Sequence, residues 1–200
     1  MKSKIKNTEF DDFAVRYDKI LDNSINNVID ANSDYFSEYK IKEVSEFYKK
    51  INFKPTKILI FGCGTGKSEV FFEQYFKNCQ FYGYDISEKS IQIAKSRKLK
   101  KSTYFSDVSE LKNNYYDVIF ISNVFHHIDF DLHNAILDNL FQKLKPNSYL
   151  FMFEHNTLNP ITQKIVKECE LDKDAKLLNF MYTKSILEKS KFTEIDTSFI

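Results

Sequence analysis

From residue 9 to residue 50 the apolar positions recur at steps of three and four. In FDDFAVRYDKILDNSI, Phe10, Phe13, Tyr17 and Ile20 or Leu21 share one face; in SDYFSEYKIKEVSEFYKKI the same spacing joins Phe36, Tyr39, Val44 and Phe47. That period predicts helices, stopped before Pro55. Beyond it the pattern changes to short apolar runs separated by helical ones. Strands are predicted at 57–61 (KILIF), 80–85, 102–107, 116–122 (YDVIFIS), 147–155 and 192–200. Helices are predicted at 67–77, 87–97, 131–144, 158–169 and 183–190, the second opened by the capping residue Ser87. Continuous apolar strands alternating with helices predict a doubly wound, mostly parallel α/β sheet covered on both faces. Two hundred residues fit one domain, with a helical segment at 1–54 and the sheet-forming core at 55–200.

Composition adds restraint more than direction. The 20 Phe and 12 Tyr argue against disorder and predict a pocket lined with rings. A net charge of +1 gives no pull toward nucleic acid, and the one dense basic run, KSRKLKK at 95–101, reads as a solvated helix end. Cys63, Cys79 and Cys169 show neither CxxC nor zinc-type spacing, which fits a reducing cytoplasm, and no metal-ligand constellation stands out. No apolar run approaches 18 residues and the N-terminus has no h-region, so neither a membrane span nor a signal peptide is expected.

The chemistry concentrates in ILIFGCGTGKSEVFF at 58–72. A phosphate loop needs Gly, four residues, then Gly-Lys-Ser/Thr; Gly62 leaves only three before Gly66, and Phe61 holds the required position. Lys67 is therefore expected to be a solvated first-turn residue. A dinucleotide fingerprint needs Gly-x-Gly-x-x-Gly, but here the third glycine comes one residue early, and no proton-transfer pair of the Tyr-x-x-x-Lys type follows. Gly62-x-Gly64-x-Gly66, with Asp85 19 residues on at the end of the second strand, suits a ligand without pyrophosphate. The glycines allow close backbone approach, the next helix start meets a carboxylate, and Asp85 accepts ribose hydroxyls. S-adenosyl-L-methionine has those parts.

On these segments the chain resembles the class I S-adenosylmethionine-dependent methyltransferases over nearly its whole length, which implies a Rossmann-like fold. ILIFGCGTG looks like their first motif, FYGYDIS the second, TYFSDVSEL the third and YYDVIFISNVFHHI the fourth; LKPNSYLFMFEHN is similar to the following strand, with Asn147-Ser148 where the family often has Gly-Gly. FDDFAVRYDKIL resembles the lid helix of small-molecule members. YFSEYK, VFHHI and FEHNTLNPIT resemble a bacterial subgroup acting on lipids, sugars or small metabolites. The family's sheet usually has seven strands, and the last is absent here; a shortened form, or a homodimer covering the open edge, is the expectation.

The resemblance implies a cofactor site of Tyr17, Phe61, Gly62, Cys63, Gly64, Gly66, Asp85, Ile86, Asp107, Val108 and Asn123. Asp107 and Val108 would meet the adenine, Asn123 the methionine amine, and Tyr17 would sit over the donor. Structural alternatives stand beside these: Asp107 as a turn cap, Tyr17 as a packing residue, Cys63 as a small turn residue. His127 is either a general base or part of the packing beneath its loop, with His126 beside it. Glu154, His155 and Asn156 follow the fifth predicted strand and are candidates for orienting the acceptor. The usual Asn/Asp-Pro-Pro-Tyr/Phe motif of amino methylation is absent, SNVF standing in its place. The reading is methyl transfer to a small-molecule acceptor, with a non-catalytic cofactor-binding module or an NAD(P)-dependent reductase as alternatives.

Overall fold

The computed structural model describes residues 9–29 and 31–199. The N-terminal segment forms α1 (Glu9–Phe13), α2 (Tyr17–Asn26) and α3 (Ser33–Lys50). Asn32 caps α3 by accepting the Tyr35 N–H. There follow β1 (Lys57–Phe61), α4 (Lys67–Tyr75), β2 (Gln80–Tyr84), α5 (Glu88–Ser96), β3 (Ser102–Phe105) and β4 (Tyr116–Ser122). The chain continues through α6 (Phe130–Lys143), β5 (Leu144–Phe153), α7 (Pro160–Glu168) and α8 (Phe180–Lys189). Ser87 caps α5 as its sequence predicts, its hydroxyl accepting the Ser90 N–H.

All five strands are parallel, in the order β3-β2-β1-β4-β5. The alternation within β1 and β4 divides the core in two. Ile58, Ile60, Val118 and Phe120 face one side and pack with Ile41, Val44, Phe72 and Ile91. Leu59, Phe61, Ile119 and Ile121 face the other, against Leu137, Leu140, Ile186 and Leu187. Each fully buried side chain of this size contributes roughly 1.5–3 kcal/mol, so two covered faces account for the continuous apolar runs. β2 and β3 are added on one side of β1, and β4 and β5 on the other; such a switch point in strand order opens a crevice at the strands' C-terminal ends. Among the described residues no helix is long and apolar enough to cross a membrane.

Two expectations need correction. Residues 192–199 form no strand. Lys191 and Glu194 take left-handed φ values of 67° and 54°, which break the extended run. Phe192 and Ile195 instead pack onto the second core, the Phe192 ring standing 5.3 Å from Phe141. Among the described residues β5 is consequently an open sheet edge. Lys67 is not a solvated residue either: its ammonium lies 2.9 Å from Asp34 and bonds the Ser33 hydroxyl, tying α4 to the start of α3.

Candidate functional site

The register aligns the strand ends. Phe61 pairs with Tyr84 and Ile121, Tyr84 with Phe105, and Ser122 with Phe153. One residue further on, Gly62, Asp85, Asn123 and Glu154 follow the C-terminal ends of their strands. Gly62 and Cys63 both donate their N–H groups to the Tyr84 carbonyl, which folds the loop over β2. The Gly64 N–H donates to Asp85 Oδ2 at 2.8 Å, and Ser87 N–H to Oδ1 at 2.9 Å. Burial raises the Asp85 pKa, and those two N–H groups offset part of the rise.

The glycines differ in what surrounds them. A Cβ on Gly62 would fall 2.3 Å from Val124, and one on Gly66 2.9 Å from Ala94. A Cβ on Gly64 would meet nothing within 4 Å. Gly62 and Gly66 are thus required by the protein's own packing, whereas Gly64 turns bare backbone toward open space. Cys63 is buried, and burial with Glu69 and Asp85 nearby pushes its thiol pKa well up, which suits a turn residue and not a nucleophile.

The N-terminal helices lie across this loop. Asp18 of α2 accepts from the Thr65 hydroxyl at 3.1 Å and from Arg97 at 2.9 Å, while Arg97 Nε donates to the Thr65 carbonyl. Asp11 of α1 accepts from the Ser87 hydroxyl at 2.6 Å. Phe10 sets its ring edge against His127, with centroids 5.0 Å apart. The Tyr17 phenol pKa is raised by burial and then by Asp85 and Asp172.

Beyond β4 and β5 three imidazoles meet two carboxylates. His126, in a 3₁₀ turn at Phe125–His127, is 1% exposed. Its Nδ1 lies 2.6 Å from Glu154 Oε2, and Glu154 Oε1 accepts the N–H groups of Val124 and Phe125. Its Nε2 is 3.3 Å from Asp172 Oδ1, yet makes no hydrogen bond. His127 Nε2 lies 3.3 Å from the same oxygen, and His155 Nε2 3.7 Å from Asp172 Oδ2. Burial works against charge on His126, but the two carboxylates outweigh it and lift its pKa to about 9. Burial, reinforced by His126, pushes His155 down to about 4. Lys40 of α3 donates to the Ser122 hydroxyl at 2.9 Å; burial lowers its pKa to about 8 against the pull of Glu154.

A cleft of about 2110 Å³ collects Tyr17, Gly62, Cys63, Gly64, Asn123, His127, Glu154 and His155 from the expected set. That is more than one small ligand fills, and the cleft runs on toward β5 and residues 191–199. Phe61, Gly66, Asp85, Ile86, Asp107 and Val108 do not line it. Phe61 is core and Asp85 stands behind Gly64, while Ile86 and Val108 are exposed apolar side chains following β2 and β3. Asp107 caps the 3₁₀ turn at Val108–Glu110 through the Ser109 N–H. Asn123 takes φ 56° and donates its N–H to the Phe153 carbonyl. Sequence reasoning missed Asp172, Lys40, Asp18 and Asp11. The first lies in a stretch with no periodicity, and the other three sit at helix positions that read as solvated.

An open parallel α/β sheet with a glycine loop at its switch point defines the Rossmann-like class of fold. The model of one family, described as a methyltransferase domain, matches residues 32–188, and the chain belongs to that family. Solved structures share the fold at low identity. An O-methyltransferase family protein from Burkholderia thailandensis is 11% identical at a TM-score of 0.68, over 83% of this chain and 54% of that one. A SAM-dependent methyltransferase from Archaeoglobus fulgidus is 21% identical at 0.58, over 77% and 70%. Phosphoethanolamine N-methyltransferase 2 of Haemonchus contortus, in complex with S-adenosyl-L-methionine, is 20% identical at 0.65, over 94% and 45%. The chain therefore spans about half the length of two of these three. No curated protein matches the sequence.

Proposed function

We propose that the chain binds S-adenosyl-L-methionine in the crevice over Gly64 and transfers its methyl group to a small-molecule acceptor. The observation carrying this reading is the Gly64–Asp85 pair: bare backbone facing open space, with a carboxylate fixed behind it at the switch point. The residues present fit the cofactor. Asp85 uses one lone pair on each oxygen for Gly64 and Ser87, which leaves acceptor capacity for two ribose hydroxyls. Ile86 and Val108 offer exposed apolar surface after adjoining strands for a base, and the exposed Asp107 carboxylate beside them would accept an exocyclic amine. The start of α4 presents N–H groups to a carboxylate, and Asn123 lies on the cleft wall for the amine. Helices α1–α3 act as the lid over the core that begins at residue 55, with Tyr17 over the donor.

When bound, the cofactor supplies a methyl group on a sulfonium, already activated for in-line displacement. The chain's own contribution is positioning and exclusion of water. His127 and His155 stand on the acceptor wall. Glu154 is a positioning residue, both oxygens being engaged by the Val124 and Phe125 N–H groups and by His126. Near-neutral net charge favours a small molecule over nucleic acid. Three buried, unpaired cysteines agree with a reducing cytoplasm, and the open β5 edge is where a second copy would pair.

Calorimetric titration with S-adenosylmethionine, S-adenosylhomocysteine, ATP and NADH tests the reading. Micromolar binding of the first two, lost in Asp85→Ala, supports it; binding of NADH or ATP alone overturns it. A protein that binds the cofactor but methylates nothing in a broad acceptor screen is the binding module.

A further inference from the structure

We propose that His126, His127 and Asp172 form a binding site for a divalent first-row transition ion of the zinc type, with His155 as a fourth ligand. One ligand atom from each of the first three lies within 4.8 Å of the others, and the three come from two separate segments of the fold. Two of the three separations fit such an ion as they stand. Zinc–nitrogen and zinc–oxygen bonds of about 2.0–2.2 Å in a tetrahedron put neighbouring ligand atoms roughly 3.3–3.5 Å apart. Asp172 Oδ1 stands 3.3 Å from the Nε2 of both His126 and His127.

A second, independent observation concerns His126 itself. Its ring is 1% exposed, and its Nε2 has no hydrogen-bond partner although Asp172 is near. A buried ring nitrogen is rarely left this way. The opposite nitrogen, Nδ1, is held at 2.6 Å by Glu154, whose other oxygen is anchored on two backbone N–H groups. A carboxylate on one ring nitrogen, fixing orientation and directing the other toward a shared point, is the support that metal-bound histidines receive. His155 brings a third imidazole, its ring centroid 4.8 Å from that of His126. His126, His127, His155 and Asp172 all line the cleft, so an ion has a path from solvent.

The ligand chemistry selects among ions. Imidazoles with one carboxylate favour zinc, cobalt or nickel over magnesium or calcium, which prefer all-oxygen cages. The proposal does not depend on the methyltransferase reading, because its test reads metal and not turnover.

Tag-free protein is stripped with chelator and titrated with Co²⁺, following visible d–d absorption, and then with Zn²⁺ in competition. The expected result is one Co²⁺ per chain with intense low-coordinate bands, displaced by Zn²⁺ and untouched by millimolar Mg²⁺. Asp172→Asn and His127→Ala should each weaken binding at least tenfold, and Glu154→Gln by about 10–100-fold as an outer-shell change. The His127 side chain is more exposed than that of His126 or Asp172, so that variant decides the matter should Asp172→Asn fail to fold. Absence of Co²⁺ bands, equal competition by Mg²⁺, or unchanged binding in a folded His127→Ala protein would overturn the site.

Discussion

The Asp85 carboxylate holds the Gly64 N–H at 2.8 Å, so the residue proposed for the ribose also fixes the backbone over which the donor is proposed to lie. Loss of Asp85 therefore removes two functions together. Hydrogen bonds to charged groups contribute about 1.5–3 kcal/mol each. Asp85→Ala is expected to weaken S-adenosylhomocysteine at least tenfold, and Asp85→Asn, which keeps one acceptor oxygen, by less. Calorimetry on both variants checks the order; equal affinity in wild type and Asp85→Ala would remove the residue from the site.

Gly64→Ala separates space from stability. The added methyl meets no protein atom, so its cost to folding is the left-handed backbone at φ 53°, roughly 1–2 kcal/mol. For a chain of this size that lowers Tm by about 2–8 °C. Cofactor affinity should fall far more, because the methyl occupies the volume left for the ligand. If melting falls and affinity holds, the ligand does not lie over Gly64.

Much of this was legible in sequence because it follows from periodicity. The alternation of Ile58 and Ile60 with Leu59 and Phe61 defines a strand buried on both faces, and the same logic places β4 beside it. The glycine loop was legible because its turn needs left-handed backbone, and the place of Asp85 because it follows β2 directly. What escaped depends on tertiary placement. Asp172 reaches the histidines from a 3₁₀ turn at Glu170–Asp172, and nothing in its neighbours' sequence marks it. FTEIDTSFI reads as a strand by composition, yet the left-handed Lys191 and Glu194 and the packing of Phe192 override that propensity. Lys67 reads as solvated until α3 brings Asp34 to it.

The latch between α2 and the glycine loop depends on Arg97, which donates to the Thr65 carbonyl and to Asp18. The Asp18–Arg97 pair is part-exposed and by itself contributes little, about 0–1 kcal/mol. Its effect should be local. Arg97→Met is expected to shift Tm by only a few degrees but to speed amide exchange across α2 and shorten cofactor residence. Unchanged exchange in α2 would show that the helix is held by its packing alone.

Glu69 on α4 is fully buried, with neither carboxylate oxygen hydrogen-bonded. Burial lifts its pKa from 4.5 to about 8, and its backbone N–H and Arg97 offset only part of that. Between these values the folded chain keeps a proton that the unfolded chain has released. Stability must then fall as pH rises from 4.5 to 8 and level off above, by at most about 5 kcal/mol. Glu69→Gln should remove this slope and be more stable than wild type at pH 8. Urea melts at pH 5 and pH 8 measure both; parallel profiles would mean that Glu69 finds a partner or water in solution.

Asp117 carries the opposite sign at the opposite end of the sheet. It lies at the start of β4, at the opposite end of the strands from the glycine loop, accepting the N–H groups of Thr56 and Lys57, the Thr56 hydroxyl and the Lys145 ammonium at 2.6 Å. Burial would raise its pKa, but the Lys145 and Thr56 bonds outweigh burial and hold it below the usual carboxylate range. Its stabilisation is thus present at neutral pH and lost as pH falls through the folded-state value. Asp117→Ala strands two backbone donors at the entry to β1, at about 1–3 kcal/mol each if they stay dry. The variant should melt several degrees lower at pH 7, lose part of the wild type's acid sensitivity, and bind S-adenosylhomocysteine with unchanged affinity below its melting point. Weakened binding in a folded Asp117→Ala protein would mean that strain at the base of β1 reaches the glycine loop at its top.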